Sequence, residues 1–328
     1  MVMAESAQRR LTTAEPKRPQ QPAAVRRRRT WAHIKRHQVL YIMMLPALAY
    51  VAVYKYGPMY GLLIAFKNYN LGLGILESEW AQPWYQHFEA FFNSPYAGQL
   101  LTNTLLISVY KLVVGTVAAI VVALLFNECR TNWFRRTVQT VSYMPHFLSW
   151  VIVYGVCVAM LSQSTGVLNN FLSETFGFTV PFLNSTDWFR SVLVTSDVWK
   201  DIGWGAIIYL AAMVGINPDL YEAARMDGAG RLRQIWSITL PGIRNVIILL
   251  LVLKIGGILD AGFDQIFVFL NPQVYSVGDI IDTWVYRAGL LDLNYSQAAA
   301  VGLFKSVIGF ILMVTVNRMA KRWDGQVW

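Results

Sequence analysis

The sequence predicts an all-α integral membrane protein with six transmembrane helices and one short cytoplasmic helix between the fourth and fifth. Three observations predict it. The 328 residues are 55% hydrophobic and only 14% charged, with a mean hydropathy of +0.40, which leaves too little polar surface for a water-soluble globule. Six stretches, 38–57, 99–125, 138–161, 191–215, 242–262 and 298–317, are long and apolar enough to cross a hydrocarbon core of about 30 Å, which takes roughly 20 helical residues each. The third observation is where the cations fall. Of 28 Lys and Arg, ten lie in the tail through Arg36, three in 126–136, four in 216–244 and three beyond Asn317, whereas 162–189 has none and 263–297 has only Arg287. Alternate connecting segments are therefore basic, which predicts that both chain ends and the basic loops face the cytoplasm.

Residues 1–37 read as a basic cytoplasmic tail. Its first 25 residues, rich in Ala, Gln, Pro and Arg, are expected to be disordered, and Arg26 to Arg29 with Trp31, Lys35 and Arg36 are placed to meet anionic lipid headgroups. It is not a secretory signal, because the apolar stretch behind it is of span length and lacks a cleavage pattern. Residues 38–98 group the first span with an outer segment. There Trp80, Trp84, Phe88, Phe91 and Phe92 among Glu77, Glu79 and Glu89 predict either a small helix that helps seat a partner or an interfacial aromatic belt. Residues 99–320 hold the five remaining spans, and 321–328 close the chain in the cytoplasm. The net charge of +9 is mostly this topology signal, with no folded polar face to meet nucleic acid. Cys129 in a loop and Cys157 within a span fall on incompatible sides for a disulfide, and His33, His37, His87 and His146 have no metal-ligand spacing.

The loop 216–241 carries the most specific pattern. Asn217 is a helix cap ahead of Pro218, where proline loses no hydrogen bond, and Asp219 and Glu222 suit the positive end of a helix that starts near Asp219. Ala223 and Ala224 give it a low face that another protein can approach. Asp227 leads into Gly228, which permits a turn that other residues resist. Arg231, Arg233, Ile235 and Trp236 continue as an amphipathic segment on the membrane surface, and Leu240-Pro241 opens the fifth span. Taken alone, each piece is an ordinary capped interfacial helix.

The spacing Glu-Ala-Ala, three residues, Gly, nine residues, Ile, one residue, Leu-Pro resembles the coupling loop of permease subunits from binding-protein-dependent ABC importers. The likeness extends over about 38–320 and includes Asn103-Thr104. Leu45-Pro46-Ala47, Tyr56-Gly57-Pro58-Met59-Tyr60-Gly61, Ile64-Ala65-Phe66, Tyr69-Asn70 and Tyr143-Met144-Pro145-His146-Phe147-Leu148-Ser149-Trp150 are similar to the carbohydrate permeases. Within these they resemble the branch importing oligo- and polysaccharides, alginate importers included. The resemblance implies a non-catalytic subunit in a bacterial inner membrane that moves saccharide from periplasm to cytoplasm by alternating access. It also implies a second homologous permease, a pair of ATPases that bind ATP and Mg, and a periplasmic solute-binding protein. This chain has no Gly-x-x-x-x-Gly-Lys-Ser/Thr segment of its own. By the same resemblance Glu222, Ala223, Ala224, Asp227, Gly228, Leu240 and Pro241 form the ATPase-coupling site.

A polar route through a bilayer is marked by intramembrane ionisable residues, which cost roughly 2.5 to 3.5 kcal/mol each to insert. Asp197, Lys200, Asp201 and Trp204 recur at three- and four-residue steps on one face of the fourth span, with Trp199 off that face. Lys254 lies mid-span in the fifth, Asp260 and Asp264 follow one turn apart, and Lys305 lies in the sixth. Two readings stand. In one, Lys200, Lys254 and Lys305 counter the carboxylates of a uronic-acid cargo while the aspartates bond sugar hydroxyls. In the other, Lys200 pairs with Asp197, Lys254 and Lys305 pair with aspartates across the packing, and none touches cargo. His146 beside Pro145 is expected to bond a freed backbone carbonyl rather than carry protons. An ion-gradient-driven secondary transporter is the alternative function, but no repeat relates the two halves. A membrane enzyme would need a convergent base, nucleophile or metal site, and none is visible.

Overall fold

The computed structural model describes residues 36–320, and the tail features expected on either side lie outside the described residues. The chain divides into two compact units after Gly61. Residues 62–98 therefore belong with the later spans and not, as the sequence grouping had it, with the first.

In the first unit, Gln38–Val51 is an α-helix that continues through a π-turn, Ala52–Tyr56. Every residue from 38 to 60 is exposed. A helix that is apolar all round has no stripe to turn toward a protein core, which is the pattern of a span in lipid.

The second unit begins with an outer segment more ordered than an aromatic belt requires. Lys67–Asn68 pairs antiparallel with Glu79–Trp80, and the buried Lys67 ammonium closes the ribbon by donating to the carbonyls of Leu76 (2.8 Å) and Ser78 (3.0 Å). The Ser296 hydroxyl, at the start of the last span, donates to the Lys67 carbonyl (2.7 Å) and accepts from the Tyr69 amide (2.9 Å). The expected small helix is present as Gln86–Phe92, and Phe91 is buried with Ala97, Leu100, Ile281 and Val301. Trp80 and Trp84 stay exposed.

Four helical runs among the described residues are long and apolar enough to span a membrane: Gln38–Phe66, Ala97–Glu128, Arg231–Gly256 and Tyr295–Ala320. Two bent pairs bring the number to six. Asn132–Phe147 and Trp150–Leu161 meet at 108°, and Phe189–Val214 meets Pro218–Met226 at 72°. The second bend is the expected exit from the fourth span. The first corrects the straight third span, 138–161. A 3-10 turn over Met144–Phe147 carries Pro145, and Leu148 and Ser149 are extended at ψ 143° and 154°, so the helix stops before it restarts at Trp150.

The fifth span also differs from expectation. Its helix runs unbroken from Arg231, so the amphipathic segment and the span are one element. Pro241 fits inside it because the Leu240 amide reaches back to Ile235 in a π-turn, Ile235–Thr239, which relieves the clash of the proline ring with the preceding turn. At the other end the helix stops at Gly256. A 3-10 turn, Ile258–Asp260, then two left-handed residues, Ala261 (φ 48°) and Gly262 (φ 84°), precede a new helix, Phe263–Phe269. Asp260 and Asp264 are thus on opposite sides of a reversal, not one turn apart on one helix.

Spans two and four form the centre. Ala119, Ala123 and Ala206 let them approach closely near the end that leads into Pro218–Met226, where Phe126, Tyr209, Met213 and Ile243 complete a core. At the opposite end Ile107, Phe189 and Leu193 pack with Val153 and with the returning segment that holds Ile266, Phe269 and Ile280.

Candidate functional site: a capped helix and a charged cavity

The first site is Pro218–Met226. The Asn217 side chain accepts from the Asp219 amide (3.0 Å), Pro218 takes the first helical position, and Asp219 lies at the positive end. The far end closes with two reversed bonds, Ala229 amide to Ala224 carbonyl (2.8 Å) and Gly228 amide to Arg225 carbonyl (3.0 Å), while Gly228 holds φ 77°. The Ala229 bond requires Gly228 in the left-handed conformation that glycine adopts without steric cost. Glu222, Ala223, Asp227 and Gly228 are exposed and Ala224 is half-buried, so five of the seven residues expected to couple lie on this capped helix and its turn. Leu240 is not with them. It packs against the core around Tyr209 and Met213, next to the exposed Pro241. Tyr221 bonds the Thr239 hydroxyl (3.0 Å), tying the helix to span five, and Arg231 at the start of that span meets Glu128 at the end of span two (3.4 Å).

The second site is a cavity of about 270 Å³ walled by spans two, four and five. Of the residues singled out in sequence, Asp197, Asp201, Lys254 and Asp260 line it together, and Ser108 and Lys111 of the second span join them. The Ser108 hydroxyl is buried without a hydrogen-bond partner among the described residues. Each carboxylate is engaged. Asp197 lies 3.4 Å from the Lys111 ammonium, Asp201 bonds the His146 ring (2.7 Å), and Asp260 bonds Lys305 (2.5 Å), which also holds Asp282 (2.7 Å). Lys254 is exposed and has no ion pair or hydrogen bond within bonding distance among the described residues.

Several sequence expectations are corrected here. Lys200 does not pair with Asp197. It is buried, donates to the His146 carbonyl (2.5 Å) and lies 5.5 Å from the Trp150 ring centre, so it satisfies the backbone where the third span breaks. His146 bonds the Asp201 carboxylate with its ring rather than a freed carbonyl, and stacks on Trp204 at 4.6 Å with planes 1° apart. Among the described residues Lys254 makes no ion pair or hydrogen bond with an aspartate, and only its longer-range charge reaches Asp197, whereas Lys305 bonds two. Lys111 escaped the reading altogether. The signal was present, because it is the one charged residue between Ala97 and Asn127.

Residues 112–325 match the family model described as binding-protein-dependent transport system inner membrane component. The chain belongs to this family. It is the inner-membrane permease of a binding-protein-dependent ABC importer, a transport subunit. It is 44% identical over 293 residues to Protein LplB of Bacillus subtilis (strain 168), covering 89% of this chain and 92% of that one. It is 42% identical over 317 residues to the polygalacturonan/rhamnogalacturonan transport system permease protein YteP of the same strain, covering 95% and 98%. A chain in the crystal structure of a bacterial ABC transporter involved in the import of the acidic polysaccharide alginate superposes with a TM-score of 0.82 at 40% identity, covering 90% of this permease and 99% of that chain. The bacterial alginate ABC transporter in complex with an alginate pentasaccharide-bound periplasmic protein superposes at 0.83, again at 40% identity, covering 91% and 99%. None of these relatives is described as an ion-gradient transporter.

Proposed function

We propose that this permease moves an acidic oligo- or polysaccharide, alginate or a related uronic-acid polymer, from periplasm to cytoplasm as one half of a permease heterodimer. A periplasmic binding protein delivers the cargo. A pair of ATPase subunits, which hold ATP and Mg, grips Glu222, Ala223, Ala224, Asp227 and Gly228, and closure of that pair on ATP is carried through the capped helix to spans four and five. Leu240 and Pro241 hold the loop to the span and do not touch the ATPase. Both termini lie in the cytoplasm.

The observation that carries this reading is the state of the charges in the cavity. Asp197, Asp201 and Asp260 already have partners, which leaves the Lys254 ammonium as the ionic group ready to meet an incoming carboxylate. The likeness to the alginate importer and to the polygalacturonan permease supports an acidic cargo. The second permease supplies the opposite wall and further cations.

The test is reconstitution of this chain with its second permease, ATPases and binding protein in liposomes. ATP-driven uptake of a uronate oligosaccharide is expected to exceed that of a neutral one of equal length. Lys254→Glu is expected to cut uronate uptake about tenfold, because an intramembrane charge that met cargo now repels it, with ATPase recovery unchanged. Uptake that continues without ATP would sink the importer reading. Unchanged uronate uptake in Lys254→Glu would remove that residue from the route.

A further inference from the structure

The second span spends its one buried ammonium on a backbone turn. Lys111 Nζ donates to the Ala261 carbonyl (2.9 Å) and to the Gln265 side-chain oxygen, with Asp197 Oδ1 at 3.4 Å, and the side chain is only 10% exposed. Gln265 passes the connection on, donating to the Leu193 carbonyl and the Ser196 hydroxyl, both at 2.8 Å. One ammonium therefore joins spans two and four to the point where span five ends. That point is the left-handed pair Ala261 and Gly262, and a Cβ on Gly262 would stand 2.6 Å from Lys111 Nζ. The ammonium and the turn are in direct contact. Residue 260 precedes this turn, and its carboxylate, 69% exposed, stands at the cavity wall.

An ammonium has three donors, and here three acceptors surround it, which leaves none for cargo. A lysine present only to neutralise Asp197 would not need the Ala261 carbonyl. We propose that Lys111 is a positioning residue for transport: it holds the 257–262 turn against spans two and four, so that Asp260 and Lys254 face the route, and it does not bind cargo itself. This rests on the transport reading above.

Lys111→Met alone would strand the Asp197 carboxylate in the protein interior and destabilise the fold for that reason. The informative variant is Lys111→Met with Asp197→Asn, beside Gly262→Ala, which keeps both charges while it presses on the ammonium and strains the turn at φ 84°. Each is reconstituted with its partners and assayed for melting temperature, ATPase activity stimulated by loaded binding protein, and uronate uptake at varied concentrations of loaded binding protein. The expected result for the double variant is an assembled complex with a lowered melting temperature from the unpaired Ala261 carbonyl and Gln265 oxygen, an unchanged KM, and maximal uptake reduced about tenfold, the pattern of a contact that organises the moving step rather than binding. Gly262→Ala should shift uptake in the same direction with KM unchanged.

Wild-type uptake by the double variant, or by Gly262→Ala, overturns the proposal. So does a raised KM or a changed ratio of acidic to neutral cargo, which would make Lys111 a cargo contact. If the double variant does not assemble, Gly262→Ala decides. A wild-type complex that hydrolyses ATP in response to loaded binding protein but moves no saccharide refutes the function proposed above and not this one, because stimulated ATPase activity in the variants still reports on the turn.

Discussion

Asn103 shows how much a single polar side chain does in this molecule. Its amide nitrogen donates to the carbonyls of Ser276 (3.2 Å) and Asp279 (2.9 Å), and its oxygen accepts from the Arg190 guanidinium (2.7 Å). Next to it the Thr104 hydroxyl accepts from the Ile281 amide (3.0 Å). The pair at the start of the second span is thus a fastening for the segment that returns after the fifth. Replacing Asn103 with Ala takes its donor from the buried Asp279 carbonyl and the more open Ser276 carbonyl and its acceptor from a guanidinium, and a group stranded in the interior costs about 1 to 3 kcal/mol. Asn103→Ala is therefore expected to lose about 3 kcal/mol against denaturant in detergent, whereas Gln297→Ala, half-buried and with a side chain that among the described residues meets only the neighbouring Asn294, should change less. Equal effects at the two sites would mean that water reaches the Asn103 network. The sequence pointed to Asn103-Thr104 by resemblance, but the partners lie 87 residues away at Arg190 and 173 to 177 away at Ser276, Asp279 and Ile281, and nothing in the local pattern names them.

At the scale of elements, the contrast is between helix ends that are made locally and breaks that are made by distant groups. The helix Pro218–Met226 was legible because cap, proline, acidic first turn and closing glycine are all neighbours in sequence. Its closing turn also gives a sharp prediction. Gly228→Arg forces a side-chain-bearing residue to φ 77°, which costs about 1 to 2 kcal/mol, and sets a bulky cation on the docking face. Affinity purification through a C-terminal tag from native membrane is expected to recover a second permease and an ATPase with the wild-type chain. The variant should retain the permease and lose about nine-tenths of the ATPase, a tenfold change for roughly 1.4 kcal/mol. Undiminished ATPase recovery would move the docking surface elsewhere. By contrast the 108° bend near Pro145 was not legible. A proline within an apolar run is compatible with a kinked span, and the bend is held by the Lys200 bond to the His146 carbonyl, 54 residues away.

At the scale of the molecule, the distribution of cations sets orientation and the pairing of charges sets the cavity. Cys129 follows the second span directly and lies in a segment expected in the cytoplasm, while Cys157 lies in the third span beyond the bend. In a Cys157→Ser background, a membrane-impermeant maleimide should label Cys129 in inside-out vesicles and not in intact cells. The reverse pattern would invert the whole topology, since alternate loops are locked in sign by the same charges. The described cavity sets three aspartates against Lys111 and Lys254, so under the proposed function an acidic polymer needs further cations from the second permease.

By itself the sequence determined the number and rough place of the spans and the capped helix between spans four and five, and it predicts the sidedness of the loops. These follow from bilayer thickness, from the positive-inside bias and from cap chemistry, all of which act over a turn or a span. Only the tertiary structure decided where spans three and five break and which intramembrane charges are spent on one another. Lys111 stood alone in an apolar helix, and its partners Ala261 and Gln265 are 150 and 154 residues further along the chain. An ion in a low-dielectric interior takes whatever acceptors the packing brings within reach, and that choice is made in space, between helices, after the local rules have been satisfied.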